Sequence, residues 1–276
     1  MTTEISLMQI TKIKREAAFS MPETHFHDDH EVLYLVSGEC NIFLNHTIYK
    51  LQAGDMVLIP SGYIHKTNYT GKEESTRFAF RFTTDDVRWL IDTVGDQVLN
   101  ELLEKMVIHV PDRRREYVET LMNNMYYEVK RNDEYSAIFN KLHFQELMMF
   151  VIRCMKYEEN YKGKQLVVEN DLIQDVAQYI YKNFDKNIYL EKVARQFNIS
   201  RSYLSKKFKA TTGVGFKEYI TNIRIQEACR RLLETDHTIT QIAIECGFND
   251  SNYFGDAFRH YKGISPNKYR KNRGTL

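Results

Sequence analysis

A chain of 276 residues with 43% hydrophobic content is long enough for two domains with ordinary cores. Its formal net charge of +1 hides a division: from Asn170 onward Lys and Arg outnumber Asp and Glu 18 to 11, whereas before it they are outnumbered, 20 to 26. A basic second half suits a polyanionic partner, and an acidic first half argues against nucleic-acid binding there. Cys40, Cys154, Cys229 and Cys246 form no C-x-x-C pair and read as the reduced thiols of a cytoplasmic protein. The start M-T-T-E-I-S-L-M-Q-I has neither the basic nor the apolar part of a signal peptide, and the run Leu147 to Ile152 is far too short to cross a bilayer, so no membrane partner is expected.

From Ile5 to Phe82 the pattern is short strands and turns. Val32 to Val36 is a compact apolar strand ended by Ser37-Gly38, and Asn41 to Leu44 and Thr47 to Leu51 straddle Asn45-His46 as a hairpin would. Met56 to Ile59 follows a turn at Ala53-Gly54-Asp55, and Pro60-Ser61-Gly62 turns again. Thr76 to Phe82 alternates as a strand with one apolar face. Many short strands so spaced predict a barrel or sandwich. Thr84 to Lys156 reads as helical, with a break around His109-Val110-Pro111-Asp112. Its last helix, from Tyr135, is apolar around nearly its whole circumference, which predicts burial on several sides. One face would pack on the barrel and the other on the same helix of a second protomer, a homodimer being favoured over a self-contained bundle. Glu158 to Lys164 is polar, carries a Gly and reads as a linker.

Beyond Asp171–Phe184, a predicted helix, the chain uses one motif twice. Val193-Ala194 answers Ile242-Ala243, Tyr203-Leu204 answers Tyr253-Phe254, and Phe208, Gly213 and Tyr219 recur as Phe258, Gly263 and Tyr269. In copy one Asn198-Ile199 turns the chain, Ser200 is placed to cap the next helix, and Leu204 and Phe208 face inward. Copy two turns at Gly247-Phe248-Asn249, has Asp250 as its cap, and would turn Tyr253, Phe254 and Phe258 inward. A short apolar helix, a break and a second helix with a small or cationic outer face make a helix-turn-helix, against the blander reading of a plain helical hairpin. Gly215 to Thr235 contains no Pro and reads as one connecting helix of about 30 Å. That approaches one turn of B-DNA, so both recognition helices would reach successive major grooves of double-stranded DNA.

Residues 170–271 resemble the DNA-binding domain of the AraC/XylS family of bacterial transcription regulators. The resemblance is most specific in the closing run from Ala243 through Gly247-Phe248, Asp250, Tyr253-Phe254, Phe258, Gly263, Ser265-Pro266 and Tyr269-Arg270. It implies base-facing positions at Ser202, Ser205 and Lys206 in the first copy, with Lys209 on the same outer face, and at Ser251, Asn252 and Asp256 in the second. Asp256 departs from the basic residue often found there; it would be repelled by phosphate but accepts a hydrogen bond from cytosine. The first domain resembles the cupins, and in particular the sensor domain of AraC-type regulators. His25, His27, Glu31 and Gly38 match the first cupin motif, and Gly54, Pro60, Gly62 and His65 the second. In metal-binding cupins the three His and the Glu are the ligands, which would suit a divalent transition metal. In AraC-type sensors the same positions line or brace a pocket, and Phe26, Tyr34 and Tyr63 would offer a stacking surface for a sugar.

The expected fold is α+β in two domains: a cupin-like barrel over 1–83, a helical packing and dimerisation segment over 84–158, a linker over 159–169, and an all-α domain with two helix-turn-helix motifs over 170–276. The expected function is a non-enzymatic transcription regulator, of the activator type, that senses a small-molecule effector and in response changes its grip on DNA or on RNA polymerase. No cofactor is expected apart from the candidate metal. The rivals are a metal-dependent cupin enzyme or metal sensor fused to a DNA-binding domain, and a scaffold whose barrel only dimerises.

Overall fold

The computed structural model describes residues 8–17, 19, 29–157 and 171–271. Strands β1 (Ile10–Arg15), β2 (His30–Ser37), β3 (Glu39–Leu44), β4 (Thr47–Gln52), β5 (Asp55–Ile59), β6 (His65–Tyr69) and β7 (Ser75–Phe82) come first. Helices α1 (Arg88–Val94) and α2 (Asp96–Lys105), a short strand β8 (Val107–His109), and helices α3 (Asp112–Arg131) and α4 (Ser136–Tyr157) complete the first half. Two antiparallel sheets result, one ordered β1-β7-β2-β5-β8 and the other β4-β3-β6. The hairpin at Asn45-His46 is present, with Asn45 at φ 57° and Glu39 to Leu44 paired against Gln52 to Thr47.

Two sequence expectations change here. The barrel is open: among the described residues no ladder joins the two sheets, which are held face to face by side chains instead. The break at His109–Asp112 begins within β8, whose residues Val107 to His109 pair with Val57 to Asp55, so the helical segment is stitched into the larger sheet. The apolar face of β7, left without a direction by the sequence, turns to the helices. Phe78, Phe80 and Phe82 join Val32, Tyr34, Met56 and Leu58 under α3 and α4, with the ring of Phe144 set edge-on to Phe80 at 5.9 Å. The other face of β2 and β5 (Leu33, Leu35, Val57 and Ile59) meets Cys40, Ile42, Leu44 and Leu51 of the smaller sheet. Burial on both faces is why β2 and β5 read as unbroken apolar runs.

The second half holds α5 (Leu172–Lys182), α6 (Leu190–Gln196), α7 (Arg201–Thr212), α8 (Phe216–Glu234), α9 (Ile239–Glu245), α10 (Ser251–Lys262) and α11 (Pro266–Lys271). Asp171 caps α5 by accepting from the N–H groups of Ile173 and Gln174. Helix α8 serves two cores. Its first half (Phe216, Tyr219, Ile220 and Ile223) packs with α5, α6 and α7, and its second (Ile225, Ala228, Cys229 and Leu232) with α9 and α10. The outer side of the smaller sheet closes the first of these cores with Phe43, Ile48 and Ile64. Polar bonds reinforce that contact: Ile48 N–H donates to Gln174 Oε1 at 2.7 Å, Lys66 Nζ to the Ala210 carbonyl at 2.8 Å, and Gln226 Nε2 to the Gly62 carbonyl at 2.9 Å. The ammonium of Lys66 thus meets the negative end of the α7 dipole. The linker expected at 159–169 lies outside the described residues.

Candidate functional site: a paired nucleic-acid interface and an internal pocket

Each helix-turn-helix is assembled by local chemistry. Ser200 Oγ accepts from the Tyr203 N–H at 3.1 Å, and Asp250 Oδ1 from the Asn252 N–H at 2.7 Å, so both second helices start where the caps predict. Both end on a left-handed glycine, Gly213 at φ 85° and Gly263 at φ 68°, whose N–H groups donate to the carbonyls of Lys209 and Arg259. The turn of copy one passes through Asn198 at φ 55° and that of copy two through Gly247 at φ 82°. A Cβ at Gly247 would stand 2.7 Å from the Asp185 carbonyl oxygen, so only glycine fits there.

On α7 the buried residues are Leu204, Phe208 and Thr212, while Ser202, Ser205, Lys206 and Lys209 are exposed on one face. On α10 Ser251, Asn252 and Asp256 are exposed in the corresponding way. Tyr253, expected inward, is 47% exposed instead; its equivalent Tyr203 is 50% exposed. Both tyrosines therefore belong with the outward residues, beside Arg201, which sequence reading also passed over. The repeat itself carried the signal for the tyrosines, since the same residue recurs at both places. Asp256 lies 3.7 Å from Arg259, one turn on, so the negative charge of copy two has a cation beside it. Ser205 and Asp256 border the same groove, with Phe216 and Ile220 of α8 also lining it.

Between the two sheets lies a cavity of 620 Å³. Strand alternation turns Arg77, Ala79 and Arg81 of β7 toward it, together with Glu31 and Leu33 of β2 and His65 and Thr67 of β6. The structure brings together two of the expected ligands: His65 Nε2 is 3.3 Å from Glu31 Oε2. Nδ1 of His65 faces the Tyr63 carbonyl at 3.1 Å, which can only accept, so that nitrogen carries a proton. His25, Phe26 and His27 lie outside the described residues, and among the described residues no three His, Cys, Asp or Glu side chains gather to hold a metal. The orientation of His65 fits a ligand imidazole, whose second nitrogen commonly bonds a backbone carbonyl, but the described pair supplies only two donors.

Tyr34, expected at the effector, points the other way. It is fully buried under α3, and its hydroxyl donates to Glu119 at 3.1 Å. On β2 it alternates with Leu33 and Leu35, and those two took the inward face. Arg77, Arg15 and Thr67 of the cavity had not been singled out; the one hint was the spacing of Arg77, Ala79 and Arg81 between phenylalanines. All four cysteines are buried free thiols, and no helix among the described residues is long and apolar enough to cross a membrane.

Comparison with known proteins agrees with this division. A family model described as the AraC-like ligand binding domain matches residues 7–148, and one described as a helix-turn-helix domain matches 193–272. An uncharacterized HTH-type transcriptional regulator of Staphylococcus aureus is 26% identical over 254 residues, covering 92% of this chain and 31% of its own length. The chain thus spans about a third of the length of the staphylococcal relatives it matches. The HTH-type transcriptional activator RhaR of Mannheimia succiniciproducens is 24% identical, covering 89% of this chain and 86% of its own. Among solved structures, the C-terminal domain of AraT, a response regulator from Geobacillus stearothermophilus, is 38% identical over 36% of this chain and 84% of that domain, with a TM-score of 0.36. With an AraC-like ligand binding domain ahead of a double helix-turn-helix, the chain belongs to the AraC family of transcription regulators.

Proposed function

We propose that this chain is a sequence-specific DNA-binding regulator whose two recognition helices, α7 and α10, read successive major grooves and whose inter-sheet cavity takes a small-molecule effector. The observation that carries the reading is the pairing of two capped helices with free outer faces on one connecting helix. The 19 residues of α8 span about 28 Å, near the 34 Å turn of B-DNA. Ser202 and Ser205 are suited to base edges, and Lys206 and Lys209 to phosphates. The finer reading is a cytoplasmic homodimer that acts on RNA polymerase. The homodimer is supported by an apolar stripe at helical spacing, Tyr135 just ahead of α4 and Ile138, Phe139 and Leu142 within it, each about half exposed, while Phe144, Leu147, Met148, Val151 and Ile152 are buried in the sensor core.

The test uses a duplex selected by the protein itself from a random-sequence pool. Lys206→Ala should weaken binding uniformly across sequences and reduce the slope of log affinity against log salt by about 1. An unchanged slope would remove Lys206 from the phosphate contacts.

A further inference from the structure

The cavity between the sheets holds two arginines, Arg77 and Arg15, that make no ion pair among the described residues. Arg77 is 6% exposed, lines the cavity, and its Nε has no hydrogen-bond partner. Thr67, 1% exposed on the facing strand β6, has an unpartnered Oγ1, and the Nε of Arg15 at the end of β1 is likewise buried without a hydrogen bond, its guanidinium lying 4.5 Å over the Phe19 ring. Arg15 stands opposite Ser75, two residues from Arg77 along β7, so both cations come from adjacent strands of the same sheet. Among the described residues neither makes an ion pair.

The neighbouring groups that could supply an anion are neutral or have contacts of their own, Asp29 of the cavity lining among the latter. Burial pushes the Tyr69 phenol and the Cys40 thiol up to about 12, against the opposing pull of Arg77, so both stay neutral beside it. Asp55 is engaged by His109 at 2.7 Å and by the Gln52 N–H at 2.8 Å. Glu31 faces His65, and Asp86 accepts from the N–H and hydroxyl of Thr83. A guanidinium keeps its proton in proteins, and a buried charge without a partner destabilises a fold, so its persistence calls for an external counter-ion.

Resting on the reading of this cavity as the effector pocket, we propose that the effector carries an oxyanion, a carboxylate or a phosphate, which Arg77 and Arg15 grip with Thr67 as an added donor. The planar guanidinium suits two-point contact with such a group. At the other end of the cavity the Glu31–His65 pair offers acceptors and donors for hydroxyls. The geometry therefore points to a small polar acid, such as a sugar acid or sugar phosphate, in place of a neutral sugar.

The experiment is thermal melting of the full chain and of Arg77→Met at constant ionic strength, with formate, D-glucuronate, inorganic phosphate and D-glucose as probes. Without probe, Arg77→Met should raise the melting midpoint by roughly 2–4 °C, because a stranded charge is replaced by an apolar chain of similar length. At least one oxyanion should then raise the midpoint of the natural chain and not that of the variant. Formate and glucuronate acting without phosphate identify a carboxylate, and the reverse a phosphate. Oxyanions that shift both proteins alike, or neither, overturn the inference, as does a variant that melts lower without probe and shows no difference between probes. Glucose shifting both proteins while the oxyanions do not overturns the oxyanion but leaves the cavity as a ligand site. The sensor reading fails separately, if a compound that binds leaves the affinity for the selected duplex unchanged.

Discussion

Phe208 and Phe258 hold the same place in the two helix-turn-helix copies, and each meets a tyrosine eleven residues on. Phe208 lies 5.2 Å from Tyr219 at an interplanar angle of 76°, and Phe258 lies 5.5 Å from Tyr269 at the same angle. The copies thus reproduce each other to the level of ring geometry. What stands behind them differs. The core of copy one includes Phe43, Ile48 and Ile64 from the smaller sheet, and the Tyr219 hydroxyl donates to the buried Asn45 carbonyl in the hairpin turn. The core of copy two contains only residues from α8 onward. One module is therefore part of the sensor's structure, and the other is carried at the far end of α8. A change in the sensor reaches copy one through shared packing, and copy two by way of that helix and of Lys262 on α10, which lies beside Gly62.

The largest test of this contrast is to empty the two cores in turn. Phe208→Ala and Phe258→Ala should each cost about 3–5 kcal/mol, since both rings are fully buried. Amide hydrogen exchange should then separate them: Phe208→Ala loosens β3, β4 and β6 along with copy one, whereas Phe258→Ala spares the sheet. Equal loss of sheet protection in both variants would abolish the distinction. A smaller effect is expected from Tyr219→Phe, which keeps the ring pair but strips the Asn45 carbonyl of its donor. A buried acceptor left alone costs about 1–3 kcal/mol, read as a lower denaturation midpoint with an unchanged slope against denaturant.

The smallest concerns pH. His46 stacks on Tyr181 of α5 at 4.2 Å, within the same contact, and burial lowers its pKa below the ordinary 6.5. The unfolded chain then binds the proton first, so stability is full above pH 6.5 and declines as the pH falls below it. A melting series from pH 7.5 down to 5.5 should show that decline in the natural chain and a flatter profile in His46→Phe. Parallel profiles would remove His46 from the contact's pH dependence.

Much of the second half was legible in advance because its determinants are local. Caps at Ser200 and Asp250, glycines at 213 and 263, and apolar spacing from Leu204 to Phe208 act within a turn or two of helix, and repetition made each visible twice. The connecting helix was readable from Gly215 to Thr235 for the same reason, and those residues are its two caps. Tyr253 was misplaced because its neighbours Phe254 and Phe258 are buried and helix position alone does not say where burial stops.

By itself the sequence determined which residues share a face: Phe78 with Phe80 and Phe82, Arg77 with Ala79 and Arg81, Leu33 with Leu35. Period-two alternation dictates that much. Only the tertiary structure decided which face looks where, because a sheet covered on both sides offers two apolar destinations. Helices α3 and α4 took the phenylalanines and Tyr34, leaving Arg77 to the cavity. The same holds for the docking of copy one, since Phe43 and Tyr219 lie far apart in the chain and meet only after both halves have folded.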